Sequence, residues 1–465
     1  MEPGNDTIFA LATALPPRDG CGIAIVRLSG PQAFSMASRL ASPLPDENRV
    51  FSLTTLSYKT EMIDQAGIIT FIAPHSYTGE DVVEFHIHGG HSIIRSLERA
   101  LQSLGARIAE PGEFTRRAFL NGRLDLLQAE AVAALVSAVG DAARREALRQ
   151  RSGVLSDKLK SIRAHLRDLL AKLEVVFDYP EEGVDPTPRG EAIRAIESIR
   201  SEVKPLLDSF AAGQLLKGIR LAIIGRPNVG KSSLLNALLN EERAIVTPHP
   251  GTTRDVVSAS LTIEGVPVEI LDTAGIHVLK IAADTAEAEG IRRSWLEVER
   301  AHLVLLVIDL SVPLSSEDSE LVRLARQRTS KTKTPILLVC NKIDLPSACP
   351  PVVVGPFLNA VDLPFVAISA LRGDGLDELR AGIAEMLDLD VGPEEVLVTE
   401  ARHRALLEET DNILKETSDG LSAGIPQDIA ATQLWAADRA LAGLLGEDLT
   451  GIDLDGIFSR FCIGK

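Results

Sequence analysis

The segment "GRPNVGKS", Gly225 to Ser232, sets two glycines, a lysine and a hydroxyl at offsets suited to holding phosphate groups. Glycines let a backbone turn tightly against an anion, and the first turn of a following helix adds its unpaired N–H groups. In this pattern Asn228, Val229, Gly230, Lys231, Ser232 and Ser233 surround the phosphates of a nucleotide, with Lys231 on the β and γ oxygens and Ser232 as a ligand of Mg²⁺. The flanks agree: Leu221 to Ile224 reads as a strand and "SSLLNALLN" as a helix. Downstream, "DTAG" (Asp272, Thr273, Ala274, Gly275) closes an apolar strand, where a carboxylate can support the metal and a glycine N–H can meet the γ-phosphate. "NKID" supplies Asn341, Lys342 and Asp344, and Asp344 can accept the two N–H donors on one edge of guanine, an edge that adenine lacks. "SAL" (Ser369, Ala370, Leu371) follows a further strand and completes a base pocket. Three motifs in this order, each at the C-terminal end of a strand, imply a guanine-nucleotide site of the GTPase kind.

One position departs from the common pattern. Many GTPases place a glutamine directly after DTAG to orient the attacking water, and here Ile276 occupies it. The nearby acids are Asp284, Glu287 and Glu289, each of which more commonly reads as an exposed loop carboxylate. Outside these motifs, alternation in "VVEFHIH" puts Glu84, His86 and His88 on one face of a strand and Val83, Phe85 and Ile87 on the other. Such a row more often lines a polar pocket or a solvated face than a metal. Near the C-terminus, "RFCIGK" keeps Cys462 three residues from Lys465, and a thiolate there can act as a nucleophile.

These residues need elements to hold them. The 465 residues, 45% apolar, suffice for several domains with buried cores. No apolar run reaches the roughly 18 residues of a membrane helix, and "MEPGNDTIFALATALPPRDG" lacks the features of a signal peptide, so a cytosolic protein is expected. Cys21, Cys340, Cys349 and Cys462 show no CxxC or CxxH spacing, which argues against a zinc cage or a disulfide framework. A net charge of −17 argues against general nucleic-acid binding. Between Arg144 and Lys172, however, bases outnumber acids, which reads as a solvated helix face or, less commonly, an RNA-facing stripe.

The first 120 or so residues alternate short β-type runs ("CGIAIVRLSG", "AGIITFIAP", "DVVEFHIHGG") with helical stretches, an α+β pattern. Leu148, Leu155, Leu159, Ile162, Leu166, Leu169 and Leu173 then predict one long amphipathic helix, and Ile193 to Leu207 resumes the helical period. From Gly218, "IRLAIIG", "PVEILDTAG", "HLVLLVIDL", "PILLVCNKID" and "PFVAISA" predict a mainly parallel sheet covered on both faces. Helical periodicity returns after about Gly382. The expected architecture is an α+β N-terminal domain (1–121), an all-α domain split in sequence (122–216 and 382–465), and an α/β P-loop GTPase domain inserted at 217–381.

Longer stretches carry a resemblance. "AIVTPHPGTTRD" (Ala244 to Asp255), with "GRPNVGKS", resembles the TrmE–Era–EngA group of GTPases. That likeness implies a nucleotide contact along Thr247, Pro248, His249, Pro250, Gly251, Thr252 and Thr253, with Thr253 as the second protein ligand of Mg²⁺. It also implies a K⁺ ion held by Asn228, Thr247, His249 and Thr252, acting where other families use an arginine finger. "SYTGEDVVEFHIHGG", "RIAEPGEFTRRAFLNGRLDLLQAEAV" and the terminal "FCIGK" are similar to the MnmE family of tRNA uridine-5-carboxymethylaminomethyl modification GTPases.

Membership would imply a folate-binding N-terminal domain that forms a homodimer, and an FAD-containing partner of the MnmG type, joined in a heterotetramer. The pair would add an aminomethyl-type group to C5 of the wobble uridine of certain tRNAs, using a tetrahydrofolate derivative in its 5,10-methylene or 5-formyl form. The folate contacts carried over are Arg27, Glu84, Arg123 (a lysine is usual there) and Lys465. Glu287 matches the family's general base or water-positioning glutamate, with Glu289 as the alternative because the segment is longer than usual; Lys231 serves the phosphates and Cys462 the modification chemistry. The resemblance further suggests that the terminal peptide folds back on the N-terminal domain, Lys465 meeting the acidic tail of folate while Phe461 and Ile463 pack the segment down. Two readings compete: an RNA-binding switch GTPase of ribosome assembly, and a GTP-regulated folate enzyme acting on a small molecule.

Overall fold

The computed structural model describes residues 6–17, 20–41, 43–45, 48–178, 187–241, 259–271, 295–345, 362–387, 389 and 397–464. The chain forms two compact units, one of Met1–Ser137, Ala147–Pro205 and Arg402–Lys465, the other of Ala138–Glu146 and Leu206–Ala401.

The first unit opens with a sheet of β1 (Ile8–Leu11), β2 (Cys21–Ser29), β3 (Ser52–Tyr58), β4 (Glu61–Phe71), β5 (Val82–Gly89) and β6 (Arg107–Ile108), in the order β3-β4-β5-β2-β1-β6. All neighbours are antiparallel except β1 and β6. The alternation of β5 holds: Val83, Phe85 and Ile87 are buried, packed with Ile94, Leu97 and Leu101 of the helix His91–Ser103 in one apolar layer. Glu84, His86 and His88 lie on the opposite face, as period-2 geometry requires.

Helical segments complete this unit. The stretch expected as one long helix is two, Asp141–Ser152, which belongs to this unit only from Ala147 on, and Val154–Asp178. The break falls at Gly153, whose φ of +97° suits glycine and where a Cβ would lie 2.9 Å from Gln128 Nε2. Leu155, Leu159, Ile162, Leu166, Leu169 and Leu173 are all buried, on a helix that packs against Gln427–Leu445. The basic residues here are largely engaged by acids of the same unit: Lys158 by Glu202, Lys160 by Asp125, Lys172 by Glu191, and both Arg163 and Arg167 by Asp438. Glu130, on the helix Leu126–Ser137, receives hydrogen bonds from Arg402 (2.8 and 3.0 Å) and pairs with His403 Nε2 at 2.6 Å. Burial alone would raise the Glu130 carboxyl, but the opposed charges and hydrogen bonds of His403 and Arg402 hold it down to about 2.

The second unit carries β7 (Ile219–Gly225), β8 (Ala259–Ile263), β9 (Val266–Leu271), β10 (Leu303–Asp309), β11 (Ile336–Asn341) and β12 (Phe365–Ala367), in the order β12-β11-β10-β7-β9-β8. It is parallel except for the edge strand β8, whose short run gave no distinct signal in the sequence. Leu221 and Ile223 of β7 join one apolar layer, Ala222 and Ile224 the other, so both faces are covered. The strand order reverses at β7, which has β9 on one side and β10 on the other. In an open α/β sheet a ligand binds outside the strand C-termini at such a reversal.

Candidate functional site

At that C-terminal edge β7 ends at Gly225 and the helix Lys231–Glu241 begins six residues on. The turn between them uses the left-handed region at Asn228 (φ 63°) and Gly230 (φ 101°). A side chain on Gly230 would meet Asn341 Nδ2 at 2.2 Å, so glycine is required for both reasons. Lys231 Nζ donates to the carbonyls of Gly225 and Arg226 at 2.8 and 2.7 Å, which lays the ammonium across the mouth of the loop. Val229 is buried, while Ser232 and Ser233 stand exposed on the first helical turn.

Asn341 ties this loop to the base motif. Its Nδ2 donates to the Val229 carbonyl at 2.8 Å, and its Oδ1 accepts from the Ala370 N–H at 3.0 Å. Lys342 donates to the Asn228 carbonyl (2.8 Å) and to Asp309. Burial would raise the Asp309 carboxyl, yet the hydrogen bonds from Lys342 and Ser311 outweigh it and hold it below the usual range. Asp344 Oδ1 accepts from Ser369 Oγ at 2.7 Å, which orients the carboxylate, while Leu371 beside it is 84% exposed. The phosphate loop, NKID and SAL therefore meet as one hydrogen-bonded group. The residues Thr247, Pro248, His249, Pro250, Gly251, Thr252, Thr253, Asp272, Thr273, Ala274, Gly275 and Glu287, with the alternative Glu289, lie outside the described residues.

Sequence reasoning missed Arg226 in the loop. Its guanidinium donates to Ser315 Oγ (2.7 Å) and Asp318 Oδ2 (2.8 Å), the capping box of the helix Ser316–Thr329. The Ser-x-x-Asp spacing was a readable signal for that cap, though not for its partner.

In the first unit Arg27 and Glu84 face each other in register on β2 and β5, with Arg27 Nε 2.9 Å from Glu84 Oε1. The guanidinium lies over the rings of Tyr77 (5.3 Å) and Phe114 (5.6 Å), which fall within the two quoted segments but were given no role there. Arg123 is exposed, its Cγ alongside Gly79. His88 is 69% exposed and pinned twice by Asp64, through its N–H and its Nδ1, both at 2.8 Å.

The terminal peptide folds back on this domain. Phe461 is buried with Phe458, Phe119 and Leu126, and the Cys462 carbonyl accepts from the Gly112 N–H at 3.5 Å, two residues before the Phe114 ring. Gly464 (φ +94°) rests against β1, where a Cβ would lie 2.3 Å from the Leu11 carbonyl. Ile463 was expected to pack and does not: it is 58% exposed, because the contact is made by Gly464, whose lack of a side chain permits the close approach. Cys462 is exposed and carries a free thiol, as does Cys21; Lys465 lies outside the described residues.

Comparison with known proteins adds to this geometry. The family model described as "GTP-binding protein TrmE N-terminus" matches residues 7–123, which hold the Arg27–Glu84 pair, and "MnmE helical domain" matches 126–462. The chain belongs to the MnmE family. Curated MnmE relatives, each named tRNA modification GTPase MnmE, are similar over 99% of this chain. The protein of Thermus thermophilus is 42% identical (99% of its own length covered), that of Moorella thermoacetica 41% (100%) and that of Geobacter sulfurreducens 41% (99%). Among the described residues, no helix is long and apolar enough to cross a membrane.

Proposed function

We propose that this chain is a GTPase taking part in tRNA modification, acting with an FAD-containing partner of the MnmG type to build an aminomethyl-type group at C5 of the wobble uridine. The observation that carries the GTPase reading is Asn341, which joins the phosphate loop at Val229 to the base loop at Ala370. A guanine held by Asp344 then places its phosphates on the N–H groups of the turn and on Lys231. Ser232, with its hydroxyl exposed on the first helical turn, fits as a Mg²⁺ ligand beside Thr253. Asn228, Thr247, His249 and Thr252 are the K⁺ ligands of this reading, and Glu287 positions the water in place of the glutamine that Ile276 replaces. A Mg²⁺ held by Ser232 and Thr253 and a K⁺ held by Asn228, Thr247, His249 and Thr252 would supply positive charge to offset what develops on the transferring phosphoryl group.

The inserted segment 217–381 is the GTPase domain of this scheme, between the two parts of the helical domain, 122–216 and 382–465. A tetrahydrofolate derivative binds at Arg27, Glu84, Arg123 and Lys465 in the N-terminal domain, 1–121, through which the chain forms a homodimer. Cys462, on a peptide seated two residues from Phe114 in the hydrogen-bond pattern, is the nucleophile that attacks uracil C6 or assists the flavin partner.

The test is mass spectrometry of tRNA nucleosides from cells lacking the protein, restored with wild type or Cys462→Ser, with GTP hydrolysis measured in parallel. Restoration by wild type and not by Cys462→Ser assigns the thiol to the modification. A C5-modified uridine that persists without the protein overturns the tRNA reading in favour of a switch GTPase. Hydrolysis is expected to run faster in K⁺ than in Na⁺, and equal rates would refute the cation assignment.

A further inference from the structure

β10 ends on Asp309, in register with Asn341 at the end of β11. Both oxygens of the Asp309 carboxylate are used. Oδ1 accepts from the N–H (2.8 Å) and the hydroxyl (2.5 Å) of Ser311, and Oδ2 accepts from Lys342 Nζ at 2.5 Å. The same ammonium donates to the Asn228 carbonyl at 2.8 Å. Asp309 belongs to no nucleotide motif, yet it is paired with the lysine of NKID where that lysine meets the phosphate loop. The residues joined there, Asn228 (φ 63°) and Lys342 (φ 71°), both take the left-handed backbone that side-chain-bearing residues rarely adopt. Such backbone persists where the surrounding contacts over-determine it.

The contact also sets a direction. In a trans peptide the C=O and the N–H that follows it point opposite ways. Lys342 draws the Asn228 carbonyl and Asn341 draws that of Val229. The N–H groups of Val229 and Gly230 are therefore turned away from NKID, and successive N–H groups presented together make a concave site for an anion. The connection after β10 grips the loop a second time, because Ser315 and Asp318 hold Arg226.

We infer that Asp309 is a positioning residue for the nucleotide phosphates. It acts through another side chain: Asp309 fixes Lys342, Lys342 fixes the Asn228 peptide, and that peptide aims the Val229 N–H. The inference rests on the GTPase reading of this site and adds to it a residue outside the motifs.

The experiment is stopped-flow release of a fluorescent GDP analogue from the full chain, with thermal unfolding of each variant as a control for folding. Asp309→Asn keeps the shape and loses the charge, and release should be about tenfold faster, as for a lost charge-assisted hydrogen bond. Asp309→Glu restores the carboxylate and should stay within about threefold of wild type. Lys342→Met should speed release by about tenfold or more, and adding Asp309→Asn to it should change the rate by less than about twofold, because the two residues act in series. Wild-type release in Asp309→Asn, Asp309→Glu no slower than Asp309→Asn, or an Asp309→Asn effect undiminished beside Lys342→Met, overturns the inference. Should Asp309→Asn not fold, Ser311→Ala loosens the same carboxylate and should speed release by about threefold, a wild-type rate again counting against the inference. If wild type shows no saturable binding of the analogue, the GTPase reading fails instead.

Discussion

In the second unit the phosphate loop, Asn341 and Ala370 are joined chiefly through backbone atoms, with the Val229 carbonyl and the Ala370 N–H as the fixed points. The Arg27–Glu84 pair of the first unit is made of side chains alone, drawn from positions 57 apart and bracketed by rings from two more segments. A site built from backbone dipoles depends on a few residues that shape the chain, here Gly230 above all. A site built from side chains depends on each of them and on the packing that aims them.

The contrast can be broken most sharply at Lys231. Lys231→Ala removes the ammonium laid across the mouth of the loop, and GTP hydrolysis should fall on the order of a thousandfold, read as the single-turnover rate. A tenfold loss or less would mean that the backbone alone holds the charge. At the base end, Asp344→Ala deletes the acceptor oriented by Ser369, and GTP affinity measured with a fluorescent analogue should drop by about a hundredfold. Unchanged affinity would separate the base pocket from this carboxylate.

The third test concerns the helical frame of the first unit. Glu130, ordinarily near 4.5, is held at about 2 in the folded chain, so its contribution is present above pH 4.5 and is lost as pH falls through 2. Glu130→Gln should lower stability in urea at pH 7 by about 3 kcal/mol, and the gap to wild type should close on acidification through that window. A gap independent of pH would trace the loss to packing. The smallest effect is expected at Lys158→Ala and Lys160→Ala. Both ammonium groups are engaged by acids of their own unit, so tRNA affinity at fixed salt should change less than about twofold. A tenfold loss in filter binding would turn this helix face into an RNA contact.

The same contrast explains what could be read from the chain beforehand. The nucleotide loop lies within eight consecutive residues, and the NKID and SAL motifs end apolar runs, so period and motif sufficed to find them. β10 and β11 are apolar up to their last residues, Asp309 and Asn341, as fits strands covered on both faces. The split of the expected long helix at Gly153 was not legible, because a lone glycine in a leucine-rich period marks a break only when its φ is known. Arg27 came from resemblance, Glu84 and His86 were put on one face by the alternation of β5, and their neighbours Tyr77 and Phe114 carry no local pattern. The register of β2 on β5 sets Arg27 opposite Glu84, while Tyr77 precedes β5 and Phe114 sits on the helix Glu113–Leu120.

The long-range pairing of Arg163 with Asp438 has a consequence for the order of events during synthesis. The second unit has all its strands once residue 401 has left the ribosome, whereas the buried leucines of Val154–Asp178 must wait for Gln427–Leu445 to emerge. Because domains fold as units while the chain is made, the nucleotide-holding unit completes first and the earlier-made helices last. Arrested chains ending near residue 401 should therefore resist protease within 219–241 and 303–341 while remaining cleavable within 154–174. During that interval the exposed leucine face is the segment most in need of a chaperone.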